Sequence, residues 1–155
     1  MAVDLPKASH RLLDSVDFDS QVHVFPEGTK TAEDAANAIG CEVAAIVKSL
    51  VFVVGDEPVV ALVPGDLRLD ADKLSDAAGG GEVRRATLDE VRHATGYAAG
   101  GTPPFGHATG LRVFADPALK RNDPVWAAAG TPTTVFPISI SDLDRLASPI
   151  WVAVT

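Results

Sequence analysis

The chain has 155 residues, of which 46% are hydrophobic and 22% charged, and its formal net charge at pH 7 is −8. This length and composition predict one folded domain, residues 1–155, and exclude a disordered or low-complexity protein. The acidic charge excludes broad capture of phosphate backbones such as DNA, because that binding relies on many lysine and arginine contacts. Any contact with nucleic acid must therefore be local.

The first part of the chain predicts a helix, a strand and a second helix. Apolar residues at helical spacing favour an amphipathic helix from Lys7 to Val16, and the alternating segment 21–25 favours a strand. A helix over 31–40 follows, because Thr31 can cap its start and Gly40 can end it.

The middle of the chain predicts a β-hairpin, since apolar strands over 49–54 and 59–64 flank the turn sequence GDEP. The next elements are a helix over 69–80, a short strand over 82–86, and a helix over 87–96 whose Thr87 and Glu90 match a capping box. The remaining elements are a strand over 111–116, a turn over 116–123, apolar segments over 125–130 and 133–138, a helix over 139–147 and a final apolar segment over 149–154. Irregular alternation of helices and strands with a hairpin predicts a mixed α/β fold, with a mixed sheet flanked by helices.

No stretch approaches the run of about 20 apolar residues that a membrane helix needs. The first residues also lack the apolar core of a signal peptide, so we expect a cytoplasmic protein without a membrane partner. The single cysteine, Cys41, excludes an internal disulfide and a zinc site made of several cysteines. His93 and His107 have neither helical i, i+4 pairing nor a carboxylate at a fixed offset, which favours structural roles. We expect no metal and no cofactor.

Lys48 is a charged residue at the start of an otherwise apolar strand. Buried strands rarely carry lysine within their hydrophobic length. One interpretation is that the lysine stem packs on the protein while its ammonium group reaches water. The other interpretation is a functional site, and the strand alone does not decide between them.

The segment GYAAGGTPPFGH combines flexible and rigid residues. Gly100 and Gly101 can take positive φ, whereas Pro103 and Pro104 fix φ. Such a loop could present the amides of Gly100, Gly101 and Thr102 to an oxygen that carries partial negative charge. The alternative is a tight connection between a helix and a strand.

Together, IVKSLVF, the glycine and proline loop about 50 residues later, a strand that carries Asp116, and the C-terminal SDLDRL helix resemble the YbaK/EbsC family. This family also supplies the editing domain of bacterial prolyl-tRNA synthetases. The resemblance implies a mixed sheet bent into a partial barrel, and hydrolysis of the ester that joins a wrong amino acid to tRNA. The implied partners are the acceptor end of mischarged tRNA and, as a second candidate, a prolyl-tRNA synthetase.

By this resemblance, Lys48 helps to hold the terminal adenosine, and the backbone from Gly100 to Pro104 holds the aminoacyl group. The catalytic candidates are Lys48, Gly100 and Gly101, and the substrate-binding candidates are Phe25, Ser49, Thr102, Pro103, Pro104, Ala128 and Gly130. Phe25 fits either a pocket wall or the ordinary core.

The chain departs from the family near the sequence AAAG. Several members carry a hydroxyl residue ahead of this glycine and an acidic residue on the next strand. Here Ala128, Ala129 and Val135 stand at the corresponding places. An apolar pocket favours a small amino acid such as alanine or cysteine, attached to tRNA(Pro). Two functions stay open: a free-standing deacylase that acts in trans, or a non-catalytic module that grips an aminoacyl-adenosine-like ligand or a synthetase.

Overall fold

The structure is a computed structural model that describes residues 6–15, 21–26 and 31–155. The helices are α1 (Lys7–Ser15), α2 (Ala32–Ile39), α3 (Ala71–Ala78), α4 (Leu88–Thr95) and α5 (Ile140–Ala147). The strands are β1 (His23–Val24), β2 (Val47–Val54), β3 (Glu57–Pro64), β4 (Val83–Arg85), β5 (Arg112–Ala115), β6 (Val125–Ala128), β7 (Thr134–Ile138) and β8 (Ile150–Trp151). Short 3₁₀ helices lie at Val43–Ala45, Ala99–Gly101 and Pro117–Arg121.

The strands form two sheets that meet at one bridge. The larger sheet has the order β4-β2-β3-β5-β8, with parallel pairing of β5 to both its neighbours and antiparallel pairing elsewhere. The smaller, antiparallel sheet has the order β1-β7-β6, and Ile46 joins the two sheets by a parallel bridge to Trp126. The predicted mixed α/β fold is confirmed. The described strands form no closed barrel.

The predicted hairpin of β2 and β3 is the centre of the core. Alternate residues of β3 face two different hydrophobic clusters, with Val60 and Leu62 on one face and Val59, Ala61 and Val63 on the other. All five residues are fully buried. A strand covered on both faces is continuously apolar, which explains why this part of the sequence lacks polar alternation.

The predicted helix ends are confirmed where the structure describes them. The side chain of Thr87 accepts a hydrogen bond from the Glu90 amide, and the Glu90 side chain accepts one from the Thr87 amide, which completes the capping box of α4. Thr31 caps α2, and Gly40 ends it in the left-handed region. Val16, the predicted end of α1, lies outside the described residues.

Asp116 follows β5 and fixes the C-terminal segment. Its carboxylate accepts hydrogen bonds from the amides of Ala118, Val154 and Thr155 and from the Thr155 hydroxyl. Burial raises the pKa of Asp116, but these hydrogen bonds together hold it below its ordinary value. Asp116, which forms part of the resemblance to the family, thus stabilises the fold.

Strand β4 pairs with only part of one edge of β2, and the candidate site lies beside the part that is left open. Strand β4 pairs with β2 from Phe52 to Val54, and beyond it the Ala86 amide donates to the Val51 carbonyl. Backbone groups two residues apart point to the same side of an antiparallel strand. The amide and carbonyl of Ser49 therefore face this edge past the end of β4.

Candidate active site

A cavity of about 370 Å³ lies at the open edge of β2. Its walls come from both sheets, from α2 and from the 3₁₀ segment of the glycine and proline loop. The residues that line it include Thr31, Lys48, Ser49, Arg85, Gly100, Thr102, Trp126, Ala127, Ala128 and Val135. The structure thus brings together Lys48, Ser49, Gly100, Thr102 and Ala128 from the predicted set.

Lys48 is half-buried in the cavity wall. Its Nζ donates a hydrogen bond to the Leu67 carbonyl at 2.6 Å. Burial lowers the pKa of the Lys48 ammonium, with the negative charge of Glu33 acting in the opposite direction. An ammonium group has three donors, so one bond to Leu67 leaves capacity for a ligand.

Ser49 carries a buried hydroxyl that has no hydrogen-bond partner among the described residues. A buried polar atom without a partner costs about 1 to 3 kcal/mol, so such atoms are uncommon in folded proteins. Ser49 lines the cavity, and its hydroxyl has unused capacity for a hydrogen bond.

The glycine pair of the loop does not adopt the expected backbone conformation. Ala99–Gly101 is a 3₁₀ segment, and neither Gly100 nor Gly101 has a positive φ. The Gly101 amide donates to the Ala98 carbonyl at 2.9 Å, so it is not free for a ligand. Within the described residues, the amides of Gly100 and Thr102 have no acceptor. The expected array of three amides is reduced to these two.

Gly101 is required because the backbone of Thr131 passes close to it. A Cβ atom at Gly101 would lie 2.5 Å from the Thr131 Cα. The Gly130 amide donates to the Gly101 carbonyl at 3.0 Å, and Gly130 itself has φ +101° and packs against the backbone of Ala8 in α1. Neither glycine lines the cavity. Both glycines support the loop, and their expected direct roles, catalysis for Gly101 and substrate contact for Gly130, stay predictions.

The two prolines lie behind the cavity wall. Pro103 and Pro104 are buried, and neither lines the cavity. The Nε2 atom of His107 donates to the Pro103 carbonyl at 2.8 Å, and burial lowers the pKa of His107 although this hydrogen bond acts in the opposite direction. His107 therefore braces the loop, in keeping with a structural role.

The aromatic residue in the cavity wall is Trp126, which sequence reasoning missed. Phe25 does not line the cavity as the structure describes it, and its amide pairs with the Thr133 carbonyl in the smaller sheet. The Trp126 ring contacts the His23 ring edge to face, with centroids 5.1 Å apart. The available signal was the lone tryptophan in the apolar segment 125–130, which resembles an ordinary core position.

The remaining reactive side chains lie elsewhere. His93 lines a separate cavity of about 520 Å³. Burial raises the pKa of the Cys41 thiol, which disfavours the nucleophilic thiolate. Across residues 6–15, 21–26 and 31–155, no cluster of three or more His, Cys, Asp or Glu residues could hold a metal ion. None of the helices in these ranges is long and apolar enough to cross a membrane.

Residues 26–146 match the aminoacyl-tRNA editing domain. The chain belongs to this family. It is 32% identical to protein YwhH of Bacillus subtilis (strain 168), over 88% of this chain and 87% of that protein. It is also 40% identical to the proline–tRNA ligase of Citrifermentans bemidjiense, over 63% of this chain but 17% of the ligase.

A solved structure extends the likeness to almost the full chain. The crystal structure of a protein described as a candidate trans-editing enzyme for prolyl-tRNA synthetase superimposes with a TM-score of 0.91. The two chains are 39% identical, and the match covers 98% of this chain and 99% of the other. Membership of the editing-domain family confirms the resemblance found in the sequence.

Proposed function

We propose that this protein is an aminoacyl-tRNA deacylase that acts in trans on mischarged tRNA. Its family and its likeness to a candidate trans-editing enzyme support this function. The proposed substrate is tRNA(Pro) that carries a small amino acid, alanine or cysteine, and the proposed contact is with the acceptor end.

The proposal rests on the observation that Lys48, Gly100 and Thr102 line one cavity, and that the amides of Gly100 and Thr102 have no acceptor among the described residues. When water attacks an ester, the carbonyl oxygen becomes an oxyanion. Fixed amide donors stabilise that charge, with about 3 to 4 kcal/mol for one well-placed donor. Lys48 is the electrostatic clamp in this arrangement, because an ammonium group attracts the oxygen-rich ribose and phosphate of the tRNA end.

The reaction itself needs only water and the substrate. The water oxygen bonds to the carbonyl carbon, the bond from that carbon to the ribose oxygen breaks, and the ribose oxygen takes up a proton. The family resemblance implies that a ribose hydroxyl of the substrate assists the water. A histidine base is not part of the proposal, since the His107 Nε2 is already bonded to the Pro103 carbonyl.

The apolar part of the wall supports the choice of amino acid. Ala127, Ala128 and Val135 offer no side-chain hydrogen bond to a substrate. A serine or threonine side chain buried against them would lose its hydration without replacement, at about 1 to 3 kcal/mol. The Ser49 hydroxyl, which has no partner among the described residues, is suited to accept a hydrogen bond from the α-ammonium group of the aminoacyl ester.

The second candidate is a non-catalytic module of the same fold, and the Ser49 hydroxyl would serve binding equally well. Deacylation rates on tRNA(Pro) charged with alanine, cysteine, serine or proline distinguish the two. The deacylase should release alanine and cysteine roughly tenfold faster than serine, because the serine hydroxyl would lose its hydrogen bonds to water in the apolar part of the cavity. Binding of the charged tRNAs without any release of amino acid would establish the module instead, and faster release of serine or proline would overturn the specificity.

A further inference from the structure

The arginines of the described residues differ sharply in how they are paired. Four form ion pairs with acidic side chains: Arg84, Arg112, Arg121 and Arg145. Neither an acidic partner nor an acceptor for the guanidinium group is present for Arg68, Arg85 or Arg92 within residues 6–15, 21–26 and 31–155. Arg85 is also the one arginine of these ranges that lines the candidate active site.

Arg84 and Arg85 are neighbours on β4, but their side chains have different surroundings. Consecutive strand residues project to opposite faces, so Arg84 and Arg85 point in different directions. Arg84 is held by Glu90 through two hydrogen bonds of 2.7 and 2.8 Å. Arg85 pairs with Phe52 through the backbone alone, and its side chain is exposed. An exposed guanidinium can meet an anion with little cost of desolvation.

Arg85 lies where two cavities meet. A second cavity of about 290 Å³ shares Ser49, Leu50, Arg85, Ala99 and Thr102 with the active-site cavity. The positive charge of Arg85 also reaches Lys48: burial is the main cause that lowers the pKa of Lys48, and Arg68 and Arg85 act in the same direction. The cavity that holds Lys48 thus has an exposed cation in its wall.

We propose that Arg85 binds a backbone phosphate of the single-stranded 3′ end of tRNA, next to the terminal nucleotide, and so positions the ester beside Lys48. The planar guanidinium matches a phosphate with two parallel hydrogen bonds. That the RNA is a tRNA rests on the proposed function. It explains how a chain with a net charge of −8 holds a nucleic acid at one point.

Binding of uncharged RNA tests the inference without depending on catalysis. The probe is a fluorescent minihelix of the tRNA(Pro) acceptor stem with its 3′ end, and Kd is measured from 50 to 200 mM salt. Loss of one phosphate contact on a single strand should reduce the slope of log Kd against log salt by about 0.7 and weaken binding roughly fivefold at 100 mM salt. We expect both changes for Arg85→Gln, whereas Arg85→Lys, which keeps the charge but not the two parallel donors, should keep the slope and bind more weakly.

Arg84→Gln is the matched control, because it removes the same charge one residue away, and it should leave the slope unchanged. A wild-type slope for Arg85→Gln, or an equal reduction for Arg84→Gln, would overturn the inference. Deacylation is measured in parallel on the same proteins. If only Arg85→Gln reduces the slope and the wild-type protein shows no turnover, the phosphate contact is supported and the deacylase is rejected. If the wild-type protein shows turnover but Arg85→Gln keeps the wild-type slope, the deacylase is supported and the phosphate contact is rejected.

Discussion

At the scale of single residues, the candidate site contains two neighbours in β2 that line the same cavity. Lys48 and Ser49 alternate along the strand, yet both line the cavity because the strand edge beside them is open. Lys48 could be predicted from the sequence, since a charge in an apolar strand is unusual. The unpartnered hydroxyl of Ser49 could be known only from the structure, because its surroundings come from distant parts of the chain.

Ser49→Ala should separate function from stability. The substitution removes a buried hydroxyl without a partner, so the free energy of unfolding should stay the same or rise by up to about 1 kcal/mol. Deacylation should fall, because the substrate loses the hydrogen bond that the hydroxyl would provide. Thermal unfolding and single-turnover kinetics measure the two effects.

The control for this variant is Ser9→Ala. The buried Ser9 hydroxyl donates to the Ala129 carbonyl at 2.6 Å, so its loss should lower the free energy of unfolding by about 1 to 3 kcal/mol. If Ser49→Ala lost as much stability as Ser9→Ala while keeping full activity, Ser49 would be a structural residue.

At the scale of elements, the loop shows what a sequence pattern can and cannot provide. The pattern indicated an unusual loop near Lys48, and the structure places Gly100 and Thr102 in the same cavity as that lysine. The pattern did not reveal why the glycines are needed. Gly101 is required by the approach of Thr131, about 30 residues further along the chain, and such a contact leaves no local signal. The capping box of α4, in contrast, is a local interaction and was predicted correctly.

Alanine at the two loop glycines should therefore have unequal effects. Gly101→Ala places a Cβ 2.5 Å from the Thr131 backbone, and overpacking of this kind costs about 1 to 3 kcal/mol of stability. The Cβ of Gly100→Ala meets only the Pro132 side chain, with Cγ at 3.4 Å and Cβ at 3.6 Å, which are ordinary contacts, so the cost should stay within about 0.5 kcal/mol. Chemical unfolding of both variants measures the difference, and equal stability of the two would contradict the proposed packing.

At the scale of the whole molecule, the mixed α/β class was predictable because the hairpin, the helix caps and the glycine stops are local features. The division into two sheets was not, since it depends on the pairing of β1 with β7 and on the bridge between Ile46 and Trp126. The cavity lies between these sheets. Its wall therefore includes residues, such as Trp126 and Arg85, that have no distinctive sequence context.

The acidic net charge fits this arrangement. A chain of net charge −8 cannot bind RNA over a broad surface, but it can hold the 3′ end in a cavity that contains Lys48 and Arg85. The proposed mechanism thus needs only a small number of cations close to the ester. This concentration makes Lys48 the residue on which the proposed function depends most.

The most direct test is single-turnover deacylation of alanyl-tRNA(Pro) by wild type, Lys48→Ala and Lys73→Ala. Lys73 lies on α3, does not line the cavity and bonds the Thr155 carbonyl, so its loss should leave the rate unchanged. Lys48→Ala should remain folded by circular dichroism and lose roughly a hundredfold or more in rate, the scale seen when one electrostatic donor is removed from an acyl-transfer site. A folded Lys48→Ala protein with the wild-type rate would contradict the assignment of this cavity as the active site.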